Sequence, residues 1–503
     1  MHSVDSQGIV NLSRRRFLQG SAGLTLGVVL GVGVEPTCAQ AAEVPADPAG
    51  FVRIGADNSV TIIAQHLEMG QGSYTGLATL LADEMDAAWT QVRVEGAPAD
   101  AKRYGNRKFG GAQGTGGSTA MANSWETMRR AGAAARAMLV AAAAESWQVP
   151  RGTVSVREGV VMHEPSGRRA NFGELAAAAA AQPVPERLFL KNPGEYTLIG
   201  KPLARTDNRA KVTGAARYTQ DLQLPGMLVA LVQHAPRFGA RVAGFDDKAA
   251  RRVKGVLEVV QIPSGVAVLA GDFWSARRGR DALRVKWDES AAFNLSSRDI
   301  FARYRELAAQ PGTIARQDGD AAAALAGAAK KLHTTYEFPF LAHAAMEPLN
   351  CVIRLDADGC EMWNGEQSQS TDQAALAALF GIAPERVRIN MLYAGGSFGR
   401  RANPASDYVL ECAHIAKALA GGALGGRPVK LLWTREDDMR GGYYRPAYVH
   451  ALQAGLDGQG KIVAWTHRIV GQGILASSPL KGRVKDGLDP TVLKGAYNLP
   501  YGF

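Results

Sequence analysis

The chain has 503 residues and a formal net charge of +10, with 46% hydrophobic and 21% charged residues. That balance suits a globular protein of about three domains. The positive charge does not read as a nucleic-acid footprint, because basic residues are scattered among acids; the densest patch (Arg277, Arg278, Arg280, Arg284 and Lys286) also holds Asp281 and Asp288 and reads as a solvated surface.

In chain order, Ser13-Arg14-Arg15-Arg16-Phe17-Leu18 is a twin-arginine signature, followed by the apolar stretch from Leu24 to Val34 and a small-residue cleavage site at Ala39-Gln40-Ala41. Residues 1–41 therefore predict export of a folded protein to the periplasm. No apolar run near 18 residues follows, so no transmembrane helix is expected after the leader is removed.

Residues 59–64 alternate like a strand, and a helix is predicted from Tyr74 to Ala88, with Leu77, Leu80, Leu81 and Met85 as its buried stripe. Between them lies Gln65-His66-Leu67-Glu68-Met69-Gly70-Gln71-Gly72. The Gln71 carboxamide either sits solvated in a capping turn or meets a ligand with its donor and acceptor. His66 either faces a ligand or ends the strand. A second turn, Gly114-Thr115-Gly116-Gly117-Ser118-Thr119, opens a helix predicted over Ala120 to Ala144.

His343 and Glu347 stand four apart, but Pro348 follows, which favours a turn and an interior hydrogen-bonded pair over a metal site. Cysteines number four, Cys38, Cys351, Cys360 and Cys412, with no C-x-x-C pair and no haem or iron–sulfur ligand set, so the chain carries no electron relay. Cys351 and Cys360 flank an expected hairpin turn at Asp356-Ala357-Asp358-Gly359; a disulfide and two buried thiols both remain open.

Val387, Ile389 and Met391 mark a strand, and a helix is expected from Asp407 to Leu419. The intervening Gly395-Gly396-Ser397-Phe398-Gly399-Arg400-Arg401 combines flexible backbone with two arginines, a pattern suited to a large anionic ligand such as a pyrophosphate. A single such turn carries little weight; three, each feeding a helix, carry more. Trp287, Trp433 and Trp465 lie in strand-like stretches and are expected in the core.

These three loops resemble those of the molybdenum-binding subunits of the xanthine dehydrogenase/aldehyde oxidase family, in particular its exported branch typified by isoquinoline 1-oxidoreductase beta subunits. Further strings follow the family's order: Lys211-Val212-Thr213-Gly214, Leu224-Pro225-Gly226-Met227-Leu228, His234-Ala235-Pro236, Val285-Lys286-Trp287-Asp288, His343 to Pro348, and Arg427 to Lys430. The resemblance implies an α+β fold of molybdopterin-binding domains with an α/β hammerhead. Its divisions would be a signal peptide at 1–41, an N-terminal molybdopterin-binding lobe at 48–200 in permuted order, the hammerhead at 201–295 and a first molybdopterin-binding domain at 325–503.

By the same resemblance, molybdopterin cytosine dinucleotide would contact Gly70, Gln71 and Gly72, then Gly116, Gly117 and Ser118, then Gly396, Ser397, Phe398, Gly399 and Arg400. The backbones of Phe398 and Gly117 would come nearest the metal. Such a cofactor brings its own sulfur ligands, so it asks for backbone donors and amides rather than a His/Cys cage. The implied reaction hydroxylates an electron-poor carbon with oxygen from water, passing electrons to a small 2Fe–2S subunit and on to a cytochrome acceptor.

Many members have a glutamine directed at the metal's apical oxygen where this chain has Leu341, so that polar contact is not expected here. Purine-oxidising members have a glutamate where this chain has Ala402. An aldehyde or simple N-heteroaromatic substrate fits that pocket better than a purine. No residue matches the family's general-base glutamate, which would lie beyond Phe503. The chain is thus expected to be the N-terminal part of a hydroxylase, inactive alone. An aldehyde dehydrogenase large subunit with a cytochrome partner and a non-catalytic binding scaffold are the alternatives.

Overall fold

The computed structural model describes residues 48–476 and 481–499. The twin-arginine segment, Cys38 and the last four residues lie outside them. The chain forms two compact units. Of the described residues, one unit comprises 48–218 together with Asn364–Ser370 and Ile389–Ala394; the other holds Thr219–Trp363, Thr371–Arg388 and those from Gly395 on.

In the first unit, β1 (Val52–Ile54) pairs antiparallel with β2 (Val60–Ala64), and β2 runs parallel to β3 (Val92–Gly96). The crossover between the parallel strands is helix α1 (Ser73–Met85), the usual way to join such a pair. Leu77, Leu80, Leu81 and Met85 are buried along α1, as their spacing predicts. The helix stops three residues before Ala88 because Asp86 turns left-handed (φ 55°) and its N–H closes onto Ala82 and Asp83.

Helix α2 (Ala120–Trp147) packs on α1, and its alanines and Gly132 allow a close approach. It runs past Ala144 until Gln148 turns left-handed. A meander of β4 (Ser155–Arg157), β5 (Val160–His163) and β6 (Arg168–Asn171), with helix α3 (Phe172–Ala180), completes this core.

A seven-stranded sheet has most of its residues in the second unit, the exceptions being Asn364 and residues 389–391. Its strands are β7 (Leu228–His234), β9 (Val256–Ile262), β10 (Gly265–Ala270), β13 (Asn350–Asp356), β14 (Gly359–Asn364), β15 (Val387–Met391) and β16 (Val429–Leu432), in the order β15-β14-β13-β16-β7-β10-β9. Every residue of β10 is buried, which is why it reads as a continuous apolar run. A ribbon pairs β8 (Arg241–Asp246) with β11 (Arg284–Asp288), and β12 (Lys330–Phe338), β17 (Tyr448–Leu456) and β18 (Ile462–Gly471) form a separate antiparallel sheet. The longer helices are α4 (Phe273–Asp281), α5 (Ser297–Ala308), α6 (Gln369–Phe380) and α7 (Asp407–Leu419). The last has the bounds its sequence predicts. Sheets and helices together make an α+β protein, and among the described residues no helix is long and apolar enough to cross a membrane.

One open alternative is decided here and one expectation changes. Cys351, Cys360 and Cys412 are all buried thiols, not a bridge. In the β13–β14 hairpin Cys360 lies opposite Leu355, whereas Cys351 pairs with Leu431 of β16, so the two cysteines sit at different levels of the sheet. Arg280 is not part of a solvated patch: its side chain is buried and meets Asp437 at 2.6 Å. Trp433 is buried as expected, while Trp287 and Trp465 are half-buried.

Candidate cofactor-binding site

The first two glycine turns are laid side by side within the first unit. The Leu67 N–H donates to Thr115 Oγ1 at 2.8 Å, His66 Nδ1 bonds the Gly114 carbonyl at 3.2 Å, and Gln65 Nε2 donates to Ser124 Oγ at 2.7 Å. A third segment joins them: Gln367 Nε2 donates to the Thr115 carbonyl (2.8 Å), while Thr115 N–H donates back to the Gln367 carbonyl (2.9 Å). Gly117 and Ser118, both left-handed, remain exposed at the tip that opens α2.

Glu68 organises the loop from below. Its carboxylate is fully buried and accepts the N–H groups of Gly70 (2.8 Å), Gly72 (3.2 Å) and Tyr74 (3.1 Å). This is a carboxylate at a helix N-terminus, where the unsatisfied N–H groups and the helix dipole favour negative charge. Gly70 (φ 113°) and Gly72 (φ 88°) take the backbone conformations that wrapping around Glu68 demands. Gln71 is exposed, but its amide is used locally: Oε1 accepts from Met69 N–H (2.8 Å) and Nε2 donates to the Leu67 carbonyl (2.7 Å).

Around Glu68 lies a balanced cluster of charge. Arg205 reaches Glu68 at 3.0 Å and binds Asp207 through two nitrogens (2.9 and 2.8 Å). Lys211 approaches Asp207 at 2.5 Å and Glu68 at 3.5 Å, and lies over the Tyr393 ring. Burial works against the Asp207 charge, but hydrogen bonds from Arg205 and Lys211 outweigh it and hold the carboxyl down at about 2. Burial pushes the Tyr393 hydroxyl up to about 12, and burial likewise drives His66 down to about 4, so both are neutral near pH 7.

The third glycine loop belongs to the second unit. It exposes Phe398, a non-glycine residue at φ 56°, between Gly396 (φ 98°) and Gly399 (φ 100°). Such a conformation costs about 1 kcal/mol for an L-residue and persists only where neighbours impose it. Here Ser397 is buried, accepting the Arg401 N–H on Oγ at 3.0 Å. Arg400 is held by two bonds to Asp407 (3.0 and 2.6 Å) between the rings of Trp433 and Tyr443. Trp433 in turn donates to Glu411, a buried carboxylate that also binds His234 (2.8 Å) and Ser264 (2.6 Å).

Comparisons with known proteins identify what these turns belong to. Two family models, each described as a molybdopterin cofactor-binding domain, match residues 11–227 and 307–500. Isoquinoline 1-oxidoreductase subunit beta of Brevundimonas diminuta is 33% identical over 93% of this chain and 65% of its own length. A membrane-bound aldehyde dehydrogenase (pyrroloquinoline-quinone) of Gluconacetobacter polyoxogenes is 32% identical over 91% and 60%. The chain belongs to the molybdenum-binding subunits of the xanthine dehydrogenase/aldehyde oxidase family.

It spans about 60–65% of the length of these two curated relatives. Among solved structures, quinoline 2-oxidoreductase of Pseudomonas putida 86 aligns with 55% of this chain and 39% of its own at a TM-score of 0.44 and 20% identity.

In this structure several of the expected site residues have partners of their own. The N–H groups of Gly70 and Gly72 serve Glu68, so the mouth of α1 does not offer them to a pyrophosphate. Arg400 and Arg401 are buried and matched by Asp407 and Glu347, so the third loop carries no unmatched positive charge from them. His343 and Glu347 do not form the expected pair; Glu347 bonds Gly395 N–H (2.8 Å) and Asn350 (2.9 Å) and faces Arg401. What the loops present instead are the exposed backbones of Gly70, Gly117, Ser118 and Gly399, where a side chain at Gly70 or Gly399 would point into open space.

Sequence reasoning missed Glu68, Arg205 and Lys211 as members of the site. Glu68 stands in the quoted loop, and an acid just before a helix start is a legible cap signal. Nothing local announces Arg205 or Lys211, which arrive from 137 and 143 residues away.

Proposed function

We propose that this chain is the cofactor-holding part of a molybdenum hydroxylase large subunit that oxidises an N-heteroaromatic or an aldehyde. When bound, molybdopterin supplies two-electron oxidation with oxygen drawn from water. The observation carrying this reading is the joining of two glycine turns within the stretch matched by a molybdopterin-domain model. The exposed backbone at Gly70, Gly117 and Ser118, with neutral His66 behind, suits a ligand that brings its own metal ligands. Within the first unit, residues Gly70 to Gly72 and Gly116 to Ser118 would line the pterin.

The substrate reading rests on the relatives, one named for isoquinoline and one for aldehydes, and on Ala402, which has no polar group to offer a purine edge. We further infer the cytosine dinucleotide form, the hammerhead at 201–295, a 2Fe–2S partner, a cytochrome acceptor and twin-arginine export to the periplasm. The test is turnover of isoquinoline, benzaldehyde and xanthine by the full-length protein purified with its partner. Oxidation of the first two and neglect of xanthine is expected; comparable xanthine turnover overturns the substrate reading. Release of CMP on acid hydrolysis checks the dinucleotide, and retention of an Arg14→Lys/Arg15→Lys variant in the cytoplasm checks export.

A further inference from the structure

The segment from Arg205 to Lys211 binds the cofactor loop more tightly than packing requires. Arg205 is only partly buried, yet its guanidinium contacts Asp207 twice, Glu68 once and, through Nη1, the carbonyl of Gly70 at 3.1 Å. Lys211 reaches the same two carboxylates. Glu68 spends its oxygens on three N–H groups of the loop and helix mouth. Buried without compensation, that carboxylate would carry a large desolvation cost. The two cations supply the compensation, and only Arg205 also grips the loop backbone directly.

We propose that Arg205, with Asp207 and Lys211, is a clasp that positions the Gly70–Gln71–Gly72 loop through Glu68 and thereby sets how firmly the bound pterin is retained. The inference rests on the molybdopterin reading above. Arg205 is a positioning residue: it acts on the cofactor through Glu68 and the Gly70 carbonyl. Its guanidinium is the suitable group, because one planar fork serves two carboxylates and a carbonyl at once, which an ammonium does not. Because Arg205 is partly exposed, added salt weakens its attraction for Glu68.

The test uses full-length, cofactor-loaded protein and follows pterin release on warming by fluorescence, beside the unfolding temperature by circular dichroism. Arg205→Gln should speed release about tenfold, the size of one charge-assisted hydrogen bond. It should also lower the unfolding temperature, since Glu68 and Asp207 then keep only Lys211, so the salt dependence of release is what separates the clasp from a purely structural role. The wild type should release pterin faster as sodium chloride rises, and the variant should lose that dependence. Glu68→Gln combined with Arg205→Gln should cost less than the product of the single effects, because the charges act as a pair.

Unchanged release in Arg205→Gln, or strictly multiplicative effects in the double variant, overturns the clasp. If Arg205→Gln does not fold, Lys211→Met takes its place in the same release measurement, and unchanged release there overturns the clasp equally. Wild-type protein that never holds pterin sinks the molybdopterin reading and the clasp with it. Pterin-loaded wild type with an indifferent variant sinks the clasp alone.

Discussion

Glu347 and Arg401 face each other at 3.2 Å with both side chains buried, and between them they fasten the start of the third glycine loop to its end. Glu347 also accepts the Gly395 N–H, so one carboxylate sets where the loop departs and, through Arg401, where it returns. Breaking one half of a buried pair leaves the other charge uncompensated. Glu347→Gln is expected to destabilise the protein by about 3 kcal/mol, read as a lower urea midpoint at unchanged slope.

Arg400 should tolerate no basic substitute. Its bidentate contact with Asp407 and its place between Trp433 and Tyr443 both depend on a planar cation. Burial disfavours the charge, but the Asp407 hydrogen bond outweighs it and raises the Arg400 pKa, so the pair stays ionised. Arg400→Lys is expected to cost about 2 kcal/mol. A shift in Trp433 emission should accompany the loss; an unchanged spectrum and unfolding midpoint would contradict this account.

Local pattern made much of the scaffold legible. The stripe of Leu77, Leu80, Leu81 and Met85 gave away α1, and the alternation of Val387, Ile389 and Met391 gave away β15. The hairpin turn after Asp356 was readable from its residues. Charge was misread, because sequence shows that Arg400 and Arg401 are cations but not that Asp407 and Glu347 cancel them. The same holds for Arg280, whose partner Asp437 is 157 residues away. Glycine marks where backbone can bend but not which acceptor takes the N–H groups; here it is Glu68, an acid of the same loop.

His66 should make stability fall in acid. Its folded pKa is about 4, lowered by burial, against about 6.5 when unfolded. Between those values the unfolded chain binds the extra proton, so stability rises with pH through that window. The contribution is complete above about pH 6.5 and amounts to about 3 kcal/mol at full loss near pH 4. Comparing His66→Gln with the wild type isolates the term: the difference in unfolding free energy should vary between pH 4 and 6.5 and be flat above. A constant difference would place His66 elsewhere than in the buried site between Gly114 and Asn123.

The three thiols of the second unit should be inert in the folded protein. Cys351, Cys360 and Cys412 are buried, and burial pushes the Cys360 thiol up to about 12, far from the reactive thiolate. Alkylation followed by peptide mass spectrometry should label them only in denaturant, with or without reductant. Protection that disappears on reduction alone would show a bridge instead.

Gly132 tests the α1–α2 contact, because two opposing effects of an added methyl can be weighed there. In an exposed helix interior, alanine gains about 1 kcal/mol over glycine. At Gly132, however, the new Cβ would overlap the backbone carbonyl of Leu81 and crowd Glu84, and neither can swing aside as a flexible side-chain tip can. Forcing a packed backbone apart costs about 1–3 kcal/mol, so Gly132→Ala should be destabilising despite its propensity gain. Gly152→Ala is the control, since a Cβ there meets no neighbouring atom. A lower unfolding temperature for the first variant beside an unchanged one for the second is expected. Equal midpoints would mean that α1 yields to the methyl, and that the helix behind the cofactor loop is held less rigidly than its packing implies.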